Sequence, residues 1–298
     1  MQLHVIVVAY RSRELVRACL RSLQGHPPAA ADLQVSVVDN ASGDGTPELV
    51  RAEFPAVDLV AMAGNVGFSA ANNLVLRRST AEYMLLLNPD TEVRPGALDR
   101  VLETMSRRPE VAVAGPRLVL RDGTFDHAAK RSFPTPVSAL AHFTGLGRSR
   151  LAGEFLGQYR APGLGEHESG YVEAVNGAFM MVRREALEQV GLLDEGYWLY
   201  MEDLDWCCRF ERAGWRTWYE GGAEVLHVKG GTSGSWRGLR QNIAFHRGMG
   251  RFYRKFQGGS RPLLDALVYI AIGLKLIVSA LRSSLARRTA LRTRGRRA

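Results

Sequence analysis

Tyr83-Met84-Leu85-Leu86-Leu87-Asn88-Pro89-Asp90 is the stretch on which the reading of this chain turns. Residues 83–87 form an unbroken apolar run with the length and composition of a buried parallel strand. Pro89 cannot donate to a sheet ladder, so the strand is predicted to stop there and to deliver Asp90 at its carboxyl end. In open α/β sheets, ligands bind in the crevice beyond that end. A single carboxylate could instead cap a helix beginning near Pro95. A second acid cluster, Glu202-Asp203-Leu204-Asp205, and a later imidazole, His227, argue for more. One carboxylate for a metal, one for a base and an imidazole are the parts of a metal-assisted group transfer.

Working outward, strands and helices alternate. Strands are predicted over 3–8, 34–38, 57–61, 83–87 and 111–114, with helices over 13–23, 47–54, 69–78 and 95–108. Thr46-Pro47 supplies an N-cap followed by proline at the first helical position. This order implies an α/β fold with a mostly parallel, doubly wound central sheet flanked by helices. Residues 121–170, rich in Gly, Pro, Ser and Arg, read as a long loop of the kind that serves as a lid or acceptor site. Beyond it come a strand over 172–182, helices over 184–190 and 202–213, and strands over 215–219 and 224–227. A basic amphipathic helix over 236–256 precedes an apolar segment, 263–281. We expect a catalytic unit over 1–235, with a nucleotide-binding half to 118 and an acceptor half carrying the base from 119. A C-terminal helical extension follows over 236–298.

Of the 298 residues, 46% are apolar, which excludes a disordered chain. The three cysteines, Cys19, Cys207 and Cys208, make no disulfide framework and suit a reducing cytoplasm. Met1-Gln2-Leu3-His4 has no basic region ahead of its apolar run and reads as a first strand rather than a signal peptide. The net charge of +9 is a local property. Seven arginines lie in residues 282–298, and removing them leaves 32 basic residues against 30 acids. A nearly neutral body argues against a nucleic-acid partner, which would be met by a basic folded face. An apolar helix with a polybasic end suits an anionic membrane surface; the competing reading is a solvated tail after a packing helix.

Four loops lie where a nucleotide would be held. Ala9-Tyr10-Arg11 follows the first strand and Asp39-Asn40-Ala41-Ser42-Gly43-Asp44-Gly45 the second. Asp39 can accept from a uracil or thymine imide N–H, or can simply be a turn residue. The third loop, Gly64-Asn65-Val66-Gly67-Phe68, leads through Asn72-Asn73 into a helix whose N-terminus suits an anion. It has the spacing of neither a P-loop nor a dinucleotide fingerprint. The fourth carries Asn88 and Asp90. Trp198, just ahead of the acids, is the candidate aromatic for a ligand to stack on, or else belongs with Phe179 and Tyr200 to the core or rim. Arg247, Arg251, Arg254 and Lys255 recur at helical spacing and are candidates for an acceptor diphosphate, or else form a solvated basic face.

Taken in order, Tyr10, Asp39-Asn40-Ser42-Asp44, Asn65-Gly67-Phe68-Asn73, Asn88-Pro89-Asp90, Gly177-Ala178-Phe179-Met180 and Glu202-Asp203-Leu204-Asp205 resemble family 2 glycosyltransferases of the GT-A fold. The likeness is to bacterial rhamnosyltransferases of cell-wall linker and surface polysaccharide synthesis. It implies that Ala9, Tyr10, Asp39, Asn65, Gly67, Phe68, Asn73 and Asn88 meet the nucleotide of a dTDP- or UDP-linked sugar. It implies that Asp90 holds a divalent cation, Mg²⁺ or Mn²⁺, with His227 as a further ligand. Many relatives carry an acid where Asn88 stands. It implies further that Asp203 is the base of an inverting transfer, with Glu202 beside it. Gly177, Trp198, Asp205, Arg247 and Arg251 would then face the acceptor. The expected reaction moves a sugar, with L-rhamnose from dTDP-rhamnose leading, to a polyprenyl-linked saccharide. The expected location is peripheral, on the inner face of the plasma membrane. Two other readings are weighed. A nucleotidyltransferase would need a glycine-rich loop after the first strand, which Val8-Ala9-Tyr10-Arg11-Ser12 is not. A membrane-associated binding protein without activity would not need Asp90, Asp203 and His227 together.

Overall fold

Residues 1–134, 163–228, 238–259 and 261–294 are described by a computed structural model. Its centre is a mixed sheet in the order β3-β2-β1-β4-β10-β6-β11-β5, with β8 also on the outer edge of β11. The strands are β1 (Gln2–Ala9), β2 (Asp32–Asp39), β3 (Asp58–Ala61), β4 (Tyr83–Leu87), β5 (Thr91–Val93), β6 (Val111–Val119), β8 (Gly170–Val172), β10 (Phe179–Arg183) and β11 (Arg216–His227). Two short strands, β7 (Lys130–Arg131) and β9 (Ala174–Val175), pair separately. The helices are α1 (Arg13–Gly25), α2 (Thr46–Glu53), α3 (Phe68–Leu76), α4 (Ala97–Arg107), α5 (Arg184–Val190), α6 (Glu202–Arg212), α7 (Leu239–Phe256) and α8 (Pro262–Arg294).

The N-terminal half follows the sequence pattern closely. Strands β3, β2, β1 and β4 are parallel, so the loops after all four open on one edge. Both faces are covered because β1 alternates: Leu3, Val5, Val7 and Ala9 join the core under α1, α2 and α4. Ile6 and Val8 join the core under α3, α5, α6 and α7. Helix α1 buries Val16, Cys19, Leu20 and Leu23, the spacing of a single helical stripe.

The structure departs from expectation in three places. The run over 172–182 is not one strand: it breaks at Gly177, and β10 inserts antiparallel between β4 and β6. The runs over 215–219 and 224–227 are one strand, β11, carried through Gly221-Gly222 by a register shift between Glu220 and Glu224. Thr91–Val93, unassigned by pattern, is an edge strand antiparallel to the end of β11. Of the long loop, 135–162 lies outside the described residues, as do 236 and 237 of the helix expected over 236–256.

His4, on β1, is 1% exposed and sits between Ser79 Oγ and Ser36 Oγ at 2.9 and 2.8 Å. Burial, helped by Arg78, pushes its pKa down to about 4. The proton therefore prefers the unfolded chain, so His4 contributes stability above the unfolded value and loses it as pH falls from about 6.5 toward 4. Thermal unfolding at pH 7.5 and pH 5 should show a smaller drop in Tm for His4→Gln than for the wild type. Parallel drops would contradict this role.

Candidate active site

The candidate metal end of the site is made by backbone register. Thr91 pairs with His227 across β5 and β11, and Val228 N donates to Asp90 O at 2.7 Å. Asp90 and His227, far apart in sequence, are thereby brought side by side: His227 Nε2 lies 3.7 Å from Asp90 Oδ1, and both residues are buried. On the far side of the ring, His227 Nδ1 is 2.8 Å from Asp126 Oδ2. Among the described residues no three His, Cys, Asp or Glu side chains are grouped to hold a metal. The pair still fits a hard divalent cation. Two bonds of about 2.1 Å can span its donors, and Mg²⁺ commonly takes only one or two protein ligands beside substrate phosphates and water.

The base end lies two hydrogen bonds away. Asn88 N donates to Ala178 O at 2.9 Å, and Gly177 N, next in chain, donates to Asp203 Oδ2 at 3.1 Å. A Cβ on Gly177 would stand 3.4 Å from that oxygen, an ordinary contact. Asp203 is in the first turn of α6, with Leu204 N on its Oδ1 at 2.8 Å. Arg131, on β7, donates to its Oδ2 at 2.5 Å and also to Val175 O. Glu202 is also buried, and its Oε2 has no partner among the described residues. Burial, then the charge of Asp203, raises the Glu202 pKa to about 8. The two neighbouring acids thus sit in unlike environments, the usual way in which adjacent carboxyl groups acquire different roles.

The helix carrying these acids starts from strained backbone. Tyr200 and Met201 have φ of 71° and 75°, although neither is glycine. Such residues persist only where their surroundings hold them. Gly248 of α7 abuts Tyr200 O, and Phe245 packs edge-on against Tyr200 at 5.9 Å.

On the nucleotide side, Ala9, Tyr10, Asp39 and the 64–68 loop lie together at the carboxyl edge. Asp39 is buried, and its Oδ1 has no partner among the described residues, as a group kept for an incoming donor would be. Asn40, passed over in the sequence reading, ties this loop to the next: its Nδ2 donates to Gly67 O and its Oδ1 accepts from Val66 N. Asn65 Oδ1 accepts from Gly67 N, and Phe68 N donates to Trp198 O. Trp198 is therefore welded to the nucleotide loop, with the Arg240 guanidinium 4.2 Å over its ring.

Three residues have different work from that expected. Asn73 is a brace: its Oδ1 accepts from Leu193 N and its Nδ2 donates to Leu193 O and Glu195 Oε1. These bonds use both amide hydrogens and one of the two acceptor sites of Oδ1. Asp205 is fully buried between Arg209 and Lys255, and Arg251 is committed to both oxygens of Asp194. Lys255 also donates to Asp194, and against its burial this bond, the Gly196 N–H and Arg251 hold the Asp194 pKa down at about 2; the two basic residues anchor α7 to the acid segment. Arg247 is exposed.

A nucleotide-type half-sheet with a carboxylate–imidazole pair at its edge and an acid at the start of the helix beyond defines a sugar-transferring enzyme of the GT-A class. The Glycosyl transferase family 2 model matches residues 4–191, and the chain belongs to that family. It is 31% identical over 257 residues, covering 82% of this chain and 81% of the relative, to N-acetylglucosaminyl-diphospho-decaprenol L-rhamnosyltransferase of Mycobacterium tuberculosis. Among solved structures it resembles a Pyrobaculum calidifontis mannosyltransferase in complex with GDP-Man and Mn²⁺. That match has a TM-score of 0.59 and 18% identity, covering 97% of this chain and 75% of that one. It also resembles GalNAc-T7 with UDP, GalNAc and Mn²⁺, with a TM-score of 0.61 and 12% identity, covering 85% of this chain and 48% of that one. The chain is a rhamnosyltransferase-like hexosyltransferase of the GT-A fold.

The weld between loop and aromatic ring is testable. Gly67 has φ of +92°, and an added Cβ would meet Trp198 Cδ1 and Trp198 O at 2.5 Å. Gly67→Ala should cost about 1–3 kcal/mol of stability, the range for held backbone strain, and weaken nucleotide binding. Denaturant unfolding matching the wild type would contradict it.

Proposed function

We propose that this protein is an inverting, metal-dependent transferase that moves a sugar from a nucleotide donor to a hydroxyl of a polyprenyl-diphosphate-linked saccharide, with dTDP-L-rhamnose as the donor. The observation that carries the reading is the bridge through Gly177 and Ala178, which joins the Asp90 loop to Asp203. In this reading the leaving-group end and the attacking end of a single displacement share the Gly177-Ala178 backbone. Donor and acceptor follow from likeness to the mycobacterial rhamnosyltransferase, and the cation from the Mn²⁺ complexes of the two solved structures.

In this reading Asp39 accepts from the base imide, while Tyr10 and the 64–68 loop enclose the nucleoside. Asp90 and His227 would hold the cation, whose chemistry when bound is to offset charge growing on the departing diphosphate. Asp203 takes the proton of the acceptor hydroxyl as its oxygen attacks the anomeric carbon from the face opposite the nucleotide. One displacement inverts that centre. Arg131 must slide off Asp203 Oδ2 as the hydroxyl arrives, and Val175 O stays available to keep it near. Glu202, holding its proton at neutral pH, can donate to the acceptor.

Two substitutions test the division of labour. Asp203→Asn should lower kcat by roughly 10²–10⁴-fold, the worth of a positioned base, with donor affinity unchanged. Asp90→Ala should abolish Mn²⁺-dependent binding of dTDP in calorimetric titration. Near-normal turnover by Asp203→Asn, with a large loss in Glu202→Gln, would assign the base to Glu202 instead.

We also place the protein on the cytoplasmic face of the membrane, by its C-terminal helix. The segment Pro262–Leu281 has a mean hydropathy of 2.0 and is long and apolar enough to cross a bilayer. Helix α8 rests on α7 through Val268 and Ile272, beside Tyr253. Leu263, Leu267, Ile270, Leu274, Ile277 and Leu281 form a stripe of alternating four- and three-residue spacing, each at least 57% exposed. Lys275 is half-buried off this stripe. A lysine at mid-membrane costs roughly 2.5–3.5 kcal/mol on insertion scales, which favours a helix lying in the interface. Its basic continuation would meet anionic lipid. Ser279 and Ser283 bond to Asn242, so this stretch of α8 lies by the half of α7 that braces Tyr200. Liposome flotation should require anionic lipid and weaken with salt. Binding that survives high salt and carbonate would mean a true span.

A further inference from the structure

Asp126 is the one buried carboxylate beside the candidate cation pair to which no role has been given. It is 2% exposed and lies in the short return after β6, where Asp126 N donates to Leu118 O at 2.9 Å and Ala129 N donates to Asp126 O. Its Oδ1 accepts from Ala128 N at 3.0 Å, which is all that the local turn requires. The other oxygen is spent elsewhere: Oδ2 lies 2.8 Å from Nδ1 of His227, 101 residues away. A turn alone does not explain a buried charge aimed at that ring, since burying a carboxylate is costly unless it is well partnered.

The chemistry of the contact is directional. A carboxylate only accepts, so the nitrogen facing it is the one that carries hydrogen. In neutral imidazole the proton on Nδ1 leaves Nε2 bare, and Nε2 is the atom 3.7 Å from Asp90 Oδ1. The backbone cannot set this by itself: β5–β11 pairing fixes where His227 is, but not how its ring is turned or which nitrogen is protonated.

We propose that Asp126 is a positioning residue that fixes the orientation and tautomer of His227, so that a bare Nε2 faces the cation beside Asp90. The inference rests on reading Asp90 and His227 as the cation pair. Carboxylates in this relation to a metal-binding histidine typically change metal affinity when altered.

The test uses the full chain, with Mn²⁺ titrated in the presence of saturating dTDP. Asp126→Asn should weaken Mn²⁺ roughly 10–100-fold, with metal-free dTDP affinity unchanged. In a His227→Ala background the same substitution should add less than about twofold, because residues acting through one another are not additive. Nitrogen-15 NMR of the metal-free wild type, with His227→Ala giving the assignment, should show hydrogen on Nδ1 and a bare Nε2. That measurement stands even where Asp126→Asn fails to fold. Hydrogen on Nε2 would overturn the proposal. So would wild-type Mn²⁺ affinity in Asp126→Asn alongside a large loss in His227→Ala. If His227→Ala itself leaves Mn²⁺ affinity unchanged, the cation pair is wrong and the proposal falls with it.

Discussion

Three residues of antiparallel pairing between β5 and the end of β11 govern the rest of the site. Because side chains alternate along a strand, a slip of one residue would turn His227 away from the face it shares with Asp90. The register is protected from several sides. Thr91 bonds to Asn88 O through both its N–H and its hydroxyl, Val93 N reaches Ser22 Oγ, and Val228 N closes the ladder on Asp90 O. Beneath, Val93 and Val225 are fully buried in the core under α1 and α4. A carboxylate and an imidazole are held together by hydrophobic packing and ladder bonds, not by their own attraction.

The other half of the site hangs from the same frame. Strand β10 brings Phe179 opposite Leu87, so the Gly177-Ala178 turn ahead of it lands between the Asp90 loop and α6. The 126–131 segment then touches both ends, through Asp126 on His227 and Arg131 on Asp203. Helix α6 is fixed from behind by Lys255 and Arg209 on Asp205. For the proposed base, positioning of this kind supplies much of the catalytic advantage, because the orientation is already held.

The sequence made the first half of this architecture legible for a physical reason. Buried parallel strands such as 83–87 are continuous apolar runs, and α1 and α4 carry clean one-sided stripes. Asp90 and His227 stand out as candidates because each follows an apolar run, and Asp203 because it lies in an acid cluster. What was hidden depended on partners distant in the chain. Thr91–Val93 is too short to show a period, and its strand character comes from β11. The sequence does not show that Asn73, Asp205 and Arg251 also bond to Leu193, Lys255 and Asp194. Nothing at Tyr200-Met201 signals a left-handed turn, since neither residue favours one; the packing of Gly248 and Phe245 imposes it. Asp126 stood in a stretch read as loop, and only the return after β6 carries it to His227.

The most direct test of the account is a crystal structure with Mn²⁺ and dTDP, with the ion located by its anomalous scattering. The account predicts one ion bound by Asp90 and His227 Nε2 and by diphosphate oxygens, with Asp203 facing the open side where an acceptor would enter. An ion held elsewhere, or a diphosphate bound without either side chain near it, would contradict it.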